Sequence, residues 1–248
     1  MADDRSKAAE MQERFSYRLR QIHQIEITSR CNLRCVYCVH RSMPRSKQDM
    51  DEPTFRRALE WAATFVKAGT QGDVNLAGIG ESTMHPEFVR YLHLARETLG
   101  DGVGLVLATN GLLVDDAMAD AIASARPHVY VSMHRPEKAG PAVEALKRAG
   151  ILAGVSADPT VAATDWAGQV RWHRSASART CMWVTGGMAF VMSDGRISVC
   201  SFDGQGTEPL GSVWDDVAEL RTRPYFLCPT CDQSLGIPGW DQATGAPA

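Results

Sequence analysis

Between residues 22 and 156 the apolar pattern switches repeatedly between strand and helix spacing, and this constrains the fold more than any other feature. Ile22-His23-Gln24-Ile25-Glu26-Ile27 alternates in polarity, as a strand does. A helix is expected from Asp51, with Pro53 suited to its first turn and Gly69 stopping it. Phe55, Leu59, Ala62, Phe65 and Val66 would form its apolar face. Asp73 to Gly78 reads as a buried strand, and His85-Pro86 opens a helix carrying Phe88, Val89, Leu92 and Ala95.

Strand Gly104–Ala108 ends in the turn sequence Thr109-Asn110-Gly111, followed by a helix over Asp115–Ala125 and strand His128–Met133. A helix over Pro141–Ala149, closed by Gly150, and strand Ile151–Ser156 complete the run. Five strands alternating with four helices imply parallel βα units and an α/β fold of partial TIM-barrel type.

After about residue 165 the rhythm changes. Met188–Met192 and Arg196–Val199 flank Ser193-Asp194-Gly195, which reads as a β-hairpin, and Trp214 to Leu220 as a short helix. The expected division is a polar leading segment (1–18), the partial barrel (19–174), a small hairpin-and-helix unit (175–237) and a mobile tail (238–248).

Net charge is −3, which provides no basic face for tracking along nucleic acid. The charged start Met1-Ala2-Asp3-Asp4-Arg5 lacks the apolar run of a signal peptide. No stretch approaches the ~18 apolar residues of a membrane span. A cytoplasmic protein is expected, in which thiols stay reduced and seven cysteines point to metal or catalysis rather than disulfides.

Cys31, Cys35 and Cys38 crowd one loop directly after the first strand. Three thiolates there can hold three irons of a cubane cluster and leave the fourth iron open to a cofactor's own donor atoms. Zinc more often takes four ligands, as paired Cys-x2-Cys or mixed Cys/His sets.

The Cys-x3-Cys-x2-Cys loop, with Tyr37 just before the last cysteine, resembles that of the radical S-adenosylmethionine (SAM) superfamily. The resemblance implies that SAM binds the open iron, is cleaved reductively and yields a 5′-deoxyadenosyl radical that abstracts a substrate hydrogen. Tyr37 would then lie near the adenine. Gly78-Ile79-Gly80-Glu81 resembles the Gly-Gly-Glu motif that contacts the cofactor's amino group; Gly80 and Glu81 carry over, whereas Ile79 stands where the family has glycine. Asn110 falls in the turn after the third strand, and Ser132 would reach the ribose or carboxylate. These positions lie at C-terminal strand ends, where barrel enzymes place chemistry. His134 stands where many relatives have an acidic residue, so its imidazole either faces the substrate or packs at the rim.

Cys181, Cys200, Cys228 and Cys231 form a second set of four soft ligands, suited to zinc or to a second iron–sulfur cluster. On this barrel the set resembles a twitch domain, a shortened SPASM domain with one auxiliary 4Fe–4S cluster. The two sets account for all seven cysteines, which leaves no thiol to quench a substrate radical and disfavours a cysteine-dependent epimerase. A fully ligated auxiliary cluster suits electron transfer. Arg135, Arg171, His173 and Trp183 are further candidates for substrate contact, near strand ends or the domain junction.

The resemblance extends to twitch-containing aminocyclitol dehydrogenases and so implies oxidation of a small hydroxylated substrate. Radical rearrangement of an amino acid, peptide or modified nucleotide is the alternative within the enzyme class. A zinc-binding interaction module is the alternative outside it, though it leaves the Cys31–Cys38 loop without a completed site. The implied partners are a small-molecule, amino-acid-derived or nucleotide substrate and an electron donor such as flavodoxin or ferredoxin.

Overall fold

The structure is a computed structural model describing residues 19–156, 166, 169–170, 181–207, 209–216, 231, 240–241 and 246–247. The expected βα run is present throughout: β1 (Gln21–Ile25), α1 (Glu52–Lys67), β2 (Val74–Asn75), α2 (Phe88–Leu99), β3 (Leu105–Thr109), α3 (Asp116–Ala123), β4 (His128–Ser132), α4 (Pro136–Arg148) and β5 (Leu152–Ser156). Strands β1 to β5 pair in parallel in chain order. Ile22, Ile25, Leu105, Leu107, Val129 and Val131 supply the strand side of a core that the helices cover.

Local chemistry explains the helix starts. The Asp51 carboxylate accepts the Thr54 N–H at 2.9 Å and caps α1, and Asp115 caps α3 by accepting the Met118 N–H at 2.8 Å. Gly69 leaves α1 at φ +68°, a conformation that favours glycine. The apolar face of α1 differs in two places. Val66, in the last turn, is 37% exposed, while Trp61 is buried with its indole N–H donating to the Val213 carbonyl at 3.0 Å. Residues from beyond the barrel cover Trp61, which helical periodicity alone cannot register.

Helix α4 begins five residues before the expected Pro141, because Pro136 takes the first-turn position. Pro141 sits inside the helix and forfeits one backbone hydrogen bond, while Ala139, Ala142, Val143, Ala145 and Leu146 bury the inner face. Strand β2 is only two residues long, against the expected Asp73–Gly78, because the chain after Leu76 leaves the ladder to wrap the end of β1.

Past the barrel come a single helical turn, α5 (Met182–Thr185), and then β6 (Met188–Val191), β7 (Arg196–Ser198) and β8 (Gly211–Ser212). The expected hairpin is β6–β7, and its first strand pairs in parallel with β1, Gln21 opposite Met188 and Ile25 opposite Val191. The sheet therefore runs β5-β4-β3-β2-β1-β6-β7-β8, and β1 lies inside it rather than at its edge. Residues 214–216 are not helical; the rest of the helix expected over Trp214–Leu220 lies outside the described residues, as does the leading segment 1–18. In the expected tail, β9 (Trp240–Asp241) pairs antiparallel with β10 (Ala246–Pro247). Among the described residues no helix is long and apolar enough to cross a membrane.

Candidate active site

Because β1 to β4 run parallel, the C-terminal end of β1 delivers the cysteine loop to the same sheet end as the β2, β3 and β4 termini. A cavity of about 360 Å³ opens there, and Cys31, Cys35, Cys38, Tyr37, Gly80, Glu81, Asn110, Ser132 and His134 all line it. Every barrel residue expected to contact metal or cofactor reaches this one space.

Glu81 organises it. The carboxylate is buried; Oε1 accepts the Thr83 and Thr109 hydroxyls at 2.7 Å each, and Oε2 accepts the Asn110 backbone N–H at 2.7 Å. Glu81 thereby ties the β2 loop to the end of β3, and Oε2, with one bond against two hydroxyls on Oε1, retains acceptor capacity. Its position requires a close chain approach: a Cβ on Gly80 would lie 2.2 Å from the Thr28 carbonyl oxygen. The amide of Asn110 donates from Nδ2 to Asn32 Oδ1 at 2.7 Å, which links the turn after β3 to the cysteine loop. Ile79, the departure from the family motif, packs in a second apolar cluster with Val39, Phe190 and Cys200.

On the opposite wall Tyr37 Oη and His134 Nδ1 share a hydrogen bond of 2.7 Å. Burial lowers the His134 pKa, which favours the neutral ring. The Trp166 indole N–H donates to the Tyr37 carbonyl at 2.9 Å and stands edge-on to Phe202; both rings line the cavity.

The superfamily model for radical SAM proteins matches residues 25–180. The chain belongs to the radical SAM superfamily. It is 33% identical over 151 residues to the tungsten-containing aldehyde ferredoxin oxidoreductase cofactor-modifying protein of Pyrococcus furiosus, covering 60% of this chain and 40% of that one. With GTP 3′,8-cyclase of Chlorobaculum tepidum it shares 31% identity over 101 residues, 40% of this chain and 29% of the relative. The matches thus span two fifths or less of these relatives' own lengths. The fold resembles that of BtrN in complex with AdoMet and 2-DOIA, with a TM-score of 0.67, 14% identity and 82% of each chain covered. It also resembles anSMEcpe with bound AdoMet, with a TM-score of 0.58, 17% identity and coverage of 81% of this chain and 80% of that one. These likenesses show the partial barrel.

Membership of this superfamily implies a 4Fe–4S cluster and SAM, and the residues that line the cavity fit both. Three soft thiols share the cavity wall, and Cys31 Sγ accepts the Leu33 N–H at 3.4 Å. Burial pushes the Cys31 thiol up to about 11 in the metal-free chain, opposed by that N–H and reinforced by Glu81 and the other two cysteines. Burial also raises Cys38, against the His40 N–H. Iron reverses this logic, because a coordinating thiol is deprotonated outright. Among the described residues no three metal-binding side chains converge at single-ion distances. Each thiolate of a cubane takes a different iron, so the enzyme needs no such point of convergence.

Of the second cysteine set, Cys200 lies in the apolar cluster with Ile79 and Phe190, and Cys181 and Cys38 pack against that cluster. Cys231 is buried, and Cys228 lies outside the described residues. Arg135 does not reach the cavity: it is exposed at the start of α4. Trp183 is buried edge-on to His23, at 5.1 Å between ring centroids, and is a packing residue. Arg171 and His173 lie outside the described residues.

Sequence reasoning missed Glu26 and Arg45. Glu26 ends β1's apolar alternation as an apparent solvent-facing polar residue, yet both side chains are buried and paired under the cavity. The one available signal was an acidic residue on a strand flanked by isoleucines and destined for the middle of a sheet.

Proposed function

We propose that this enzyme oxidises a small hydroxylated substrate, with Cys31, Cys35 and Cys38 holding the SAM-binding cluster. In the same reading Cys181, Cys200, Cys228 and Cys231 hold an auxiliary 4Fe–4S cluster in a twitch-like segment over 175–237. The supporting observation is that Cys200 lies in one apolar cluster against which Cys38 and Cys181 both pack, which brings two members of the second cysteine set near a residue of the first. Oxidising a carbinol removes a hydrogen atom, a proton and an electron, and the electron needs an acceptor close by.

When bound, the clusters and SAM would supply the electron for cofactor cleavage, the hydrogen abstraction and a place for the electron the substrate gives up. The chain's residues bind and orient. Glu81 Oε2 takes the cofactor's amino group, Asn110 and Ser132 hold its polar edges, and Tyr37 borders the adenine. With Nδ1–H of His134 donating to Tyr37 Oη, the ring's Nε2 is the nitrogen left to accept the carbinol proton. Trp166 and Phe202 exclude water from that wall. A reducing, cytoplasmic setting goes with this use of cysteine.

Rearrangement of a nucleotide is the second reading, favoured by the matches to two GTP 3′,8-cyclases. Anaerobic reconstitution followed by dithionite and SAM tests the proposal, with iron, sulfide and 5′-deoxyadenosine quantified together. About eight irons with deoxyadenosine support two clusters, and about four irons with bound zinc would remove the auxiliary cluster. Product mass separates the chemistries: oxidation loses about two hydrogens, whereas rearrangement leaves the mass unchanged.

A further inference from the structure

From Cys31 to Gln48 the chain contains no aspartate or glutamate. On its surface Arg34, Val36, His40, Arg41 and Lys47 line a groove distinct from the cofactor cavity. Arg34, Arg41 and Lys47 are exposed, and none forms an ion pair among the described residues. Nine other arginines do have a carboxylate partner, from Arg30 to Arg196. Among the described residues the groove is therefore a basic patch without paired carboxylates, on a chain of net charge −3.

Its place in the fold sets what it can do. Arg34 and Val36 flank the ligand position Cys35, and Val36, 60% exposed, adds an apolar side chain to the patch. His40 lines both the groove and the cofactor cavity, so one imidazole forms the wall between them. That ring is 5% exposed; Nε2 donates to the Ser29 carbonyl at 3.1 Å, and Nδ1 is buried without a partner.

We propose that this groove is the docking surface for the enzyme's reductant, a small acidic one-electron-carrier protein. Three facts converge. Reductive SAM cleavage needs one electron per event from outside the chain, electron transfer falls steeply with distance, and here the surface comes within one side chain of the cysteine-lined cavity. Opposite charge steers the carrier to the patch, and the exposed Val36 supplies apolar contact within it. The carrier gives up one electron and the cluster gains one, with no bond made or broken in this chain. Such electron-transfer encounters are small and transient, typically below about 1,200 Å². The proposal rests on the assignment of Cys31, Cys35 and Cys38 as ligands of the reducible cluster.

The test titrates oxidised flavodoxin, as an acidic carrier, into cluster-loaded enzyme, and separately follows deoxyadenosine formation driven by reduced flavodoxin or by dithionite. Arg41→Glu/Lys47→Glu is the main variant, since both positions lie outside the ligand loop; Arg34→Glu is the second. Binding should weaken with added salt and fall about tenfold or more in the double variant. Flavodoxin-driven deoxyadenosine should fall with it, while the dithionite-driven rate stays within about twofold, since a small reductant needs no steering. Unchanged flavodoxin binding in both variants would overturn the proposal. So would an equal loss with dithionite, which would place these residues in support of the cluster. Normal flavodoxin binding with lost substrate conversion would make the groove an anionic-substrate site instead. If wild-type enzyme made no deoxyadenosine with dithionite, the cluster assignment would fail first and the docking proposal with it.

Discussion

Arg45 and Glu26 meet as a bidentate ion pair, Nη1–Oε2 at 2.6 Å and Nη2–Oε1 at 2.7 Å, with side chains 3% and 0% exposed. The Glu26 carboxylate also accepts the Ile79 N–H at 2.9 Å and the Ser193 N–H at 3.1 Å, and Arg45 donates to the Gly204 carbonyl at 2.9 Å. One pair thus joins the end of β1, the chain after the cysteine loop, the Gly78–Glu81 segment and the β6–β7 turn. Arg45→Met leaves that carboxylate buried without its cation and should cost about 3–5 kcal/mol of stability, read by urea unfolding. Adding Glu26→Gln should recover part of the loss, and a single variant as stable as wild type would mean that water reaches the site.

Gly80 lies where the β2 loop crosses the end of β1. An added Cβ would meet the Thr28 carbonyl oxygen at 2.2 Å and the Arg30 carbonyl oxygen at 2.6 Å, both backbone atoms that yield only if the chain moves. Gly80→Ala is expected to destabilise the fold by about 1–3 kcal/mol and to displace Glu81 from Thr109 and Asn110. SAM affinity, measured by equilibrium dialysis on the reconstituted enzyme, should fall with it. Unchanged affinity would remove Glu81 from cofactor binding.

The two cysteine sets should separate by substitution. Cys35→Ala is expected to abolish deoxyadenosine formation, because it removes one of three ligands. Cys200→Ala should keep uncoupled cleavage while losing substrate conversion, both followed by chromatography of a single reaction. Full turnover in the Cys200 variant would reduce the second set to a structural role.

Stability should fall with acid through His23, which packs edge-on against Trp183. Desolvation lowers its pKa in the fold, with Asp73 acting in the opposite direction. Above the unfolded value near 6.5 the ring is neutral in both states and stability is unaffected. Below it the unfolded chain takes up a proton that the folded chain refuses, so stability is lost until the pH reaches the lower folded value. His23→Gln should flatten thermal-unfolding midpoints measured between about pH 7 and pH 5; an unchanged slope would assign the dependence to other groups.

Much of the barrel was legible because its signals are local. Asp51 and Asp115 cap helices through their own third-next N–H groups, Gly69 stops α1 within one turn, and Thr109-Asn110-Gly111 turns where it stands. The place of the cysteine loop directly after β1 was legible for the same reason, and Cys31, Cys35 and Cys38 all line the one cavity. Less legible was anything set by a distant partner. Ile79 reads as a flaw in a glycine motif until the second apolar cluster receives it. Asn32 and Thr109 carry no signal until Asn110 and Glu81 reach them across 78 and 28 residues.

By itself the sequence determined the order of the barrel's strands and helices and the place of the cysteine loop after β1, because periodicity, capping and turn chemistry act within a few residues. Only the tertiary structure decided that the C-terminal hairpin extends the barrel sheet at β1, that Arg45 lies buried on Glu26, and that Arg135 and Trp183 do not line the cavity. Strand pairing and charge burial depend on which surfaces remain uncovered once the rest of the chain has packed, and no local pattern of residues encodes that.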